Sequence, residues 1–155
     1  MGIKKEEGYM ELTTKNLIVL DLDSKVKEDI IKIMAQKMVE DGVAESYEEY
    51  LSSLFEREEI AATTVGYDVG LPHGKSKTIK KAAVAFARLK NPVVWNLEDN
   101  EKVKMVFMLA VPEIENGTTD INILVELSKK ILDKNFRDKL SIVKEIDEVV
   151  KLING

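Results

Sequence analysis

The chain contains one histidine, His73, set in Gly70-Leu71-Pro72-His73-Gly74-Lys75-Ser76. Imidazole, with an unperturbed pKa of about 6.5, is neutral and nucleophilic near physiological pH. It can attack phosphorus and hold a phosphoryl group as a phosphoramidate, a bond labile enough to pass the group on. Such a site must supply positioning and charge stabilisation. The backbone amides of Gly74, Lys75 and Ser76 are candidate donors to phosphoryl oxygens, above all if a helix starts there. Pro72 stiffens the approach, and Gly74 lets phosphoryl oxygens or a partner's backbone come close. Lys75 and Lys77 either attract phosphate and acidic surfaces or stand as solvated loop charges. On spacing alone, a loop histidine with no role is the competing reading.

The same stretch ends in Gly-Lys-Ser, as a nucleotide-binding phosphate loop does. Gly70 and Gly74 are one residue too close for that loop, and Val69 stands where its first glycine belongs. The nucleotide reading is therefore set aside. With no cysteine and a single histidine, the usual nitrogen and sulfur ligands of a zinc site are missing. No zinc site is expected. A net charge of −5, from 23 basic and 28 acidic residues, argues against nucleic-acid binding. No apolar run approaches a membrane span. The opening "MGIKKEEGYMEL" lacks the apolar centre of a signal peptide. The expectation is a cytoplasmic protein with no membrane insertion.

The 155 residues suggest one domain, expected over 11–155 behind a flexible tail at 1–10. Leu17–Leu20 reads as a strand. Asp23 or Ser24 then caps a helix whose apolar positions are Val26, Ile30, Ile33, Met34 and Met38, and Gly42 stops it. Ser46 opens a second helix, with Glu49 completing a capping box. Tyr47, Tyr50, Leu51, Leu54 and Phe55 form its apolar stripe. Arg57 falls at the edge of that stripe, between core and solvent. Strands are expected at Tyr67–Leu71, ended by Pro72, and at Ala82–Leu89, followed by a turn at Asn91-Pro92. "KVKMVFMLAVP" reads as a central strand covered on both faces. A helix follows with Ile121, Leu124, Val125, Ser128, Ile131 and Leu132 on one face, then two shorter helices near Phe136–Ile142 and Asp147–Ile153. The fold class is α/β: a single mixed β-sheet flanked by helices, a three-layer αβα sandwich.

"VGYDVGLPHGKSKTIKKAAVAFARLKNPVVWN" resembles the active-site region of fructose/mannitol-type EIIA domains of the bacterial sugar phosphotransferase system. "YLSSLFEREE", "KVKMVFMLAVPE" and "TDINILVELSKKIL" are similar to further segments of that family, in family order. The resemblance implies a phosphocarrier standing as a separate polypeptide, with no metal and no cofactor, because its donor is already a labile phosphoramidate. Phosphorylated HPr would donate to His73, and His73 would pass the group to a cysteine of EIIB, which phosphorylates sugar as EIIC transports it. By the same resemblance Arg57 is the phosphoryl-stabilising arginine, which can contact phosphoryl oxygens bidentately. Otherwise it is a solvated helix charge or an ion-pair partner of Glu58. No sugar site is implied on this chain.

One position departs from the family pattern. Members often carry a second histidine where Asp120 stands. Asp120 could orient the His73 imidazole, or it could cap the following helix. Thr119 or Thr118 could donate a hydroxyl to the phosphoryl group. Two other readings remain open: a nitrogen-type EIIA regulatory phosphoprotein, and a phosphorylation-dead binding module that keeps the fold without the chemistry.

Overall fold

The computed structural model describes residues 11–113 and 118–155, with the side chains of 118–121 and 124 left outside that description. A 3-10 turn, Lys15–Leu17, leads into β1 (Ile18–Leu22), followed by α1 (Lys27–Glu40) and α2 (Tyr47–Ile60). Next come β2 (Val69–Gly70), β3 (His73–Ser76), β4 (Ala83–Asn96) and β5 (Glu101–Pro112). Three helices close the chain: α3 (Thr118–Leu132), α4 (Lys134–Ile142) and α5 (Ile146–Asn154). Residues 1–10, expected to be a tail, lie outside the described residues.

The sheet is mixed. β1 pairs with β4 in parallel, and β4 with β5 antiparallel. β2 and β3 follow one another along the far edge of β5, both parallel to it. β5 is thus paired along both edges, and because helices cover both of its faces its apolar run is nearly unbroken. The period of two divides the core. Ala83, Ala85 and Ala87 of β4, with Met108 and Ala110 of β5, pack with Ile30, Met34 and Met38 of α1 and Tyr50 and Leu54 of α2. Val84, Phe86, Phe107 and Leu109 pack with Ile123 and Leu127 of α3, Phe136 and Leu140 of α4, and Val149 and Ile153 of α5. Helices cover both faces, giving the expected αβα sandwich.

Five local expectations are corrected. α1 is capped by the backbone of Val26, with no side-chain cap bond, so neither Asp23 nor Ser24 caps it. Val26 and Ile33 are exposed, and Ile31 and Ala35 are buried instead. The strand expected at Tyr67–Leu71 shrinks to Val69–Gly70, because Gly66, Tyr67 and Asp68 all take positive φ (84°, 57° and 60°), which no strand accommodates. β4 does not end before Asn91-Pro92. It runs on to Asn96, and the missing Pro92 amide falls in a bulge between the Arg88–Met105 and Val93–Val103 pairs. On α3 the buried residues are Ile123, Leu127 and Ile131, while Val125 and Leu132 are exposed. That helix is apolar around so much of its circumference that spacing alone does not choose its buried face.

Candidate functional site

The edge of β5 is built from β2, the dipeptide Leu71-Pro72, and β3. Val69 and Gly70 sit opposite Met105 and Val106. The Pro72 carbonyl accepts from the Leu109 amide at 2.9 Å, and His73 then stands opposite Leu109. The residues around His73 form a strand, so no helix starts there, contrary to the arrangement that would best suit an amide cradle.

His73 is half-buried. Its register partner Leu109 belongs to the face covered by α3–α5, so the histidine is placed on that face. Its Nδ1 lies 2.9 Å from the carbonyl oxygen of Leu71. A carbonyl only accepts, so Nδ1 carries the proton and donates. In the neutral ring, Nε2 then holds the free lone pair. The group that sets the tautomer is a main-chain carbonyl two residues upstream, which nothing in the residue types signals.

Gly74 faces the opposite side, against α2. A Cβ there would collide with Ser53 Oγ and lie 3.1 Å from Tyr50 Cε1 and 3.3 Å from Leu54 Cδ2. The glycine is thus required by the close approach of α2. Tyr50 is fully buried and donates its hydroxyl to the Leu109 carbonyl at 2.8 Å. Burial pushes that phenol well above its ordinary ionisation range.

In a parallel ladder, alternate residues turn both amide and carbonyl toward the neighbour. The carbonyls of Pro72 and Ser76 accept from Leu109 and Glu113. By the same alternation the amides of Gly74 and Ser76 face β5, and only that of Lys75 turns away. Ser76 is buried, and its hydroxyl accepts from the Thr78 amide at 3.2 Å. The Lys75 and Lys77 side chains are exposed and line a groove with Ser53 and Glu56 of α2.

Arg57 is half-buried in the last turn of α2, one helical turn beyond Ser53, and its Nη1 donates to the Ala61 carbonyl at 2.9 Å. Among the described contacts it makes no hydrogen bond to His73. It forms no ion pair with Glu58 either, because Glu58 is engaged elsewhere: its Oε1 is 2.7 Å from Lys27 Nζ, and it accepts from the amide and hydroxyl of Thr63. Asp120 falls in the first turn of α3, the helix that follows β5. The side chains of Thr118, Thr119 and Asp120 lie outside the described residues.

Residues 11–155 match the family model described as phosphoenolpyruvate-dependent sugar phosphotransferase system, EIIA 2. The chain belongs to this family. Over 129 residues it is 33% identical to the PTS system fructose-specific EIIA component of Haloferax volcanii, covering 83% of each chain. It is 30% identical over 144 residues to the PTS system 2-O-alpha-mannosyl-D-glycerate-specific EIIABC component of Escherichia coli K12. That match takes in 92% of this chain and 22% of the relative, so the EIIA 2 chain spans about a fifth of the length of such relatives. Among solved structures it is similar to the nitrogen regulatory protein IIA-Ntr of Neisseria meningitidis, with a TM-score of 0.82 and 29% identity. That comparison covers 93% of this chain and 97% of the other. No described helix of the EIIA 2 chain is long and apolar enough to cross a membrane.

Proposed function

We propose that this EIIA 2 chain is a phosphocarrier of sugar uptake, of fructose type, with Nε2 of His73 as the atom that accepts and releases the phosphoryl group. The observation that carries the reading is the bond from Nδ1 to the Leu71 carbonyl, which leaves Nε2 unprotonated in the neutral ring. The Nε2 lone pair attacks the phosphorus of a phosphohistidine on the donor, HPr. An N–P bond forms on His73 as the donor's N–P bond breaks, and the donor imidazole leaves. In the second step a cysteine thiolate of EIIB attacks the same phosphorus, forming S–P and releasing Nε2. Throughout, Nδ1–H keeps its carbonyl partner. The donor is already a phosphoramidate, so no metal is required to activate it.

Charge on the transferring group is stabilised by Arg57. Its guanidinium is committed to one carbonyl and retains further N–H donors in a planar fork suited to phosphoryl oxygens. The Lys75 amide, facing away from β5, and the exposed Lys75 and Lys77 side chains supply the remaining positive potential. With Nδ1 already engaged, Asp120 is assigned to the first turn of α3, where a carboxylate favours the helix dipole. The reaction is placed in the cytoplasm, with transient contacts to both partners.

The test is transfer of labelled phosphate from phosphoenolpyruvate through the general donor proteins. Wild type is expected to take up acid-labile, base-stable label, and His73→Ala none. Label persisting in His73→Ala would place the chemistry elsewhere, and an unlabelled wild type would favour the phosphorylation-dead module. The similarity to IIA-Ntr supports a second reading, a nitrogen-type regulator. Discharge of the label onto an EIIB cysteine separates the two: a sugar-uptake carrier discharges, and a regulator keeps its label.

A further inference from the structure

A buried polar chain runs from α1 through the end of α2 to His73. Lys27 opens α1 and Glu58 lies in the last turn of α2; their side chains are 15% and 7% exposed, and the charged atoms are 2.7 Å apart. Lys27 also donates to the Trp95 carbonyl at 2.8 Å. The Glu58 carboxylate accepts from the Thr63 amide at 3.2 Å and from the Thr63 hydroxyl. That hydroxyl in turn accepts from Trp95 Nε1 at 3.2 Å. The Thr63 carbonyl accepts from the Leu71 amide at 2.7 Å, and the Leu71 carbonyl accepts from Nδ1 of His73.

The links enter and leave Thr63 and Leu71 on different peptide units. The chain therefore carries position and not a proton. The bridge from Glu58 to Thr63 also spans Ala61, whose carbonyl holds Arg57. One clamp thus sets both the acceptor that fixes the His73 tautomer and the anchor of the arginine. Ion pairs this buried are costly to desolvate, and apolar residues of similar volume often serve stability as well or better. Its value lies in what it holds in place.

We infer that Lys27, Glu58 and Thr63 are positioning residues for phosphoryl transfer at His73, an inference that rests on the assignment of His73 as the acceptor. Two variants separate positioning from mere stability: Lys27→Met combined with Glu58→Leu, and the near-isosteric Thr63→Val. In wild type, nitrogen-15 spectra of neutral His73 should show one tautomer, protonated at Nδ1. In both variants the second tautomer should appear. Phosphoryl uptake should slow by roughly tenfold to hundredfold, as for other small misplacements of reacting groups. Thr63→Ser, which restores the hydroxyl, should recover the single tautomer and the wild-type rate. If the double variant does not fold, Thr63→Val decides. A folded Thr63→Val protein with one tautomer and an unchanged rate would overturn the inference. A wild type that takes up no phosphate would instead count against His73 as acceptor, and the tautomer comparison would still decide the positioning claim.

Discussion

His73 was legible because it is the chain's only imidazole and sits between a proline and a glycine. The nitrogen proposed to accept the phosphoryl group was not. In the proposed reaction the attacking nitrogen is set by the Leu71 carbonyl, a group every residue carries, and by Thr63, eight positions upstream of Leu71 and joined to it only by the fold. Arg57 was legible as an edge position, but the bond that holds it, to Ala61, is again to main chain. Because that bond is at a half-exposed helix end, its loss should cost the fold little. Loss of the guanidinium from the proposed transition state should cost much more: Arg57→Ala is predicted to slow transfer about hundredfold, the scale of removing one preorganised donor. Steady-state rates beside a thermal melt check this. Unchanged rates remove Arg57 from the site.

At the scale of elements, the order of helices and strands followed from apolar spacing, capping signals and proline, except for β3, which stands where a loop was expected around His73. The faces followed less well, as α3 shows. β2 was shortened by three consecutive positive-φ residues that residue type did not announce beyond Gly66. Ser46 does cap α2, accepting from Glu49, but its own amide bonds Thr78, so only half of the capping box forms. Gly74, read first as room for phosphate, is room for α2. Gly74→Ala should destabilise by about 1–3 kcal/mol through overpacking. Adding Ser53→Ala should recover part of the loss, measured by denaturant titration; full stability in Gly74→Ala alone would contradict the contact. Tyr50 beneath it makes a pH prediction. Its folded ionisation lies well above the ordinary value of 10.0. As pH rises past that value the unfolded chain sheds the proton while the folded chain keeps it, so stability must fall on the alkaline side. Tyr50→Phe should flatten that fall while losing about 1 kcal/mol at neutral pH, where the hydroxyl's bond is lost.

For the whole molecule, the two ends of the described chain are sewn together by one side chain. Asn154, 2% exposed, accepts from the amides of Leu12 and Thr13 at 2.8 and 3.0 Å and donates to the Thr13 carbonyl at 3.0 Å. Arg88 within β4 plays a similar part between layers, bonding Asp21 of β1 and the carbonyls of Leu140 and Val143. Neither link shows in periodicity, because each joins residues far apart in sequence, Asn154 through main-chain partners and Arg88 through one carboxylate and two carbonyls. Asn154→Leu leaves two buried amides without this acceptor and should cost about 3 kcal/mol. For a chain this long that lowers the thermal midpoint by roughly 6–12 °C. Calorimetry checks it, and a shift within error would show that the ends are held by packing alone.

The proposed function turns on one atom, Nε2 of His73. The most direct test is phosphorus–nitrogen NMR of the phosphorylated, nitrogen-15-labelled protein. The account predicts a single phosphohistidine with phosphorus bonded to Nε2 of His73 and a proton retained on Nδ1. Phosphorus on Nδ1, or on any other residue, would contradict it.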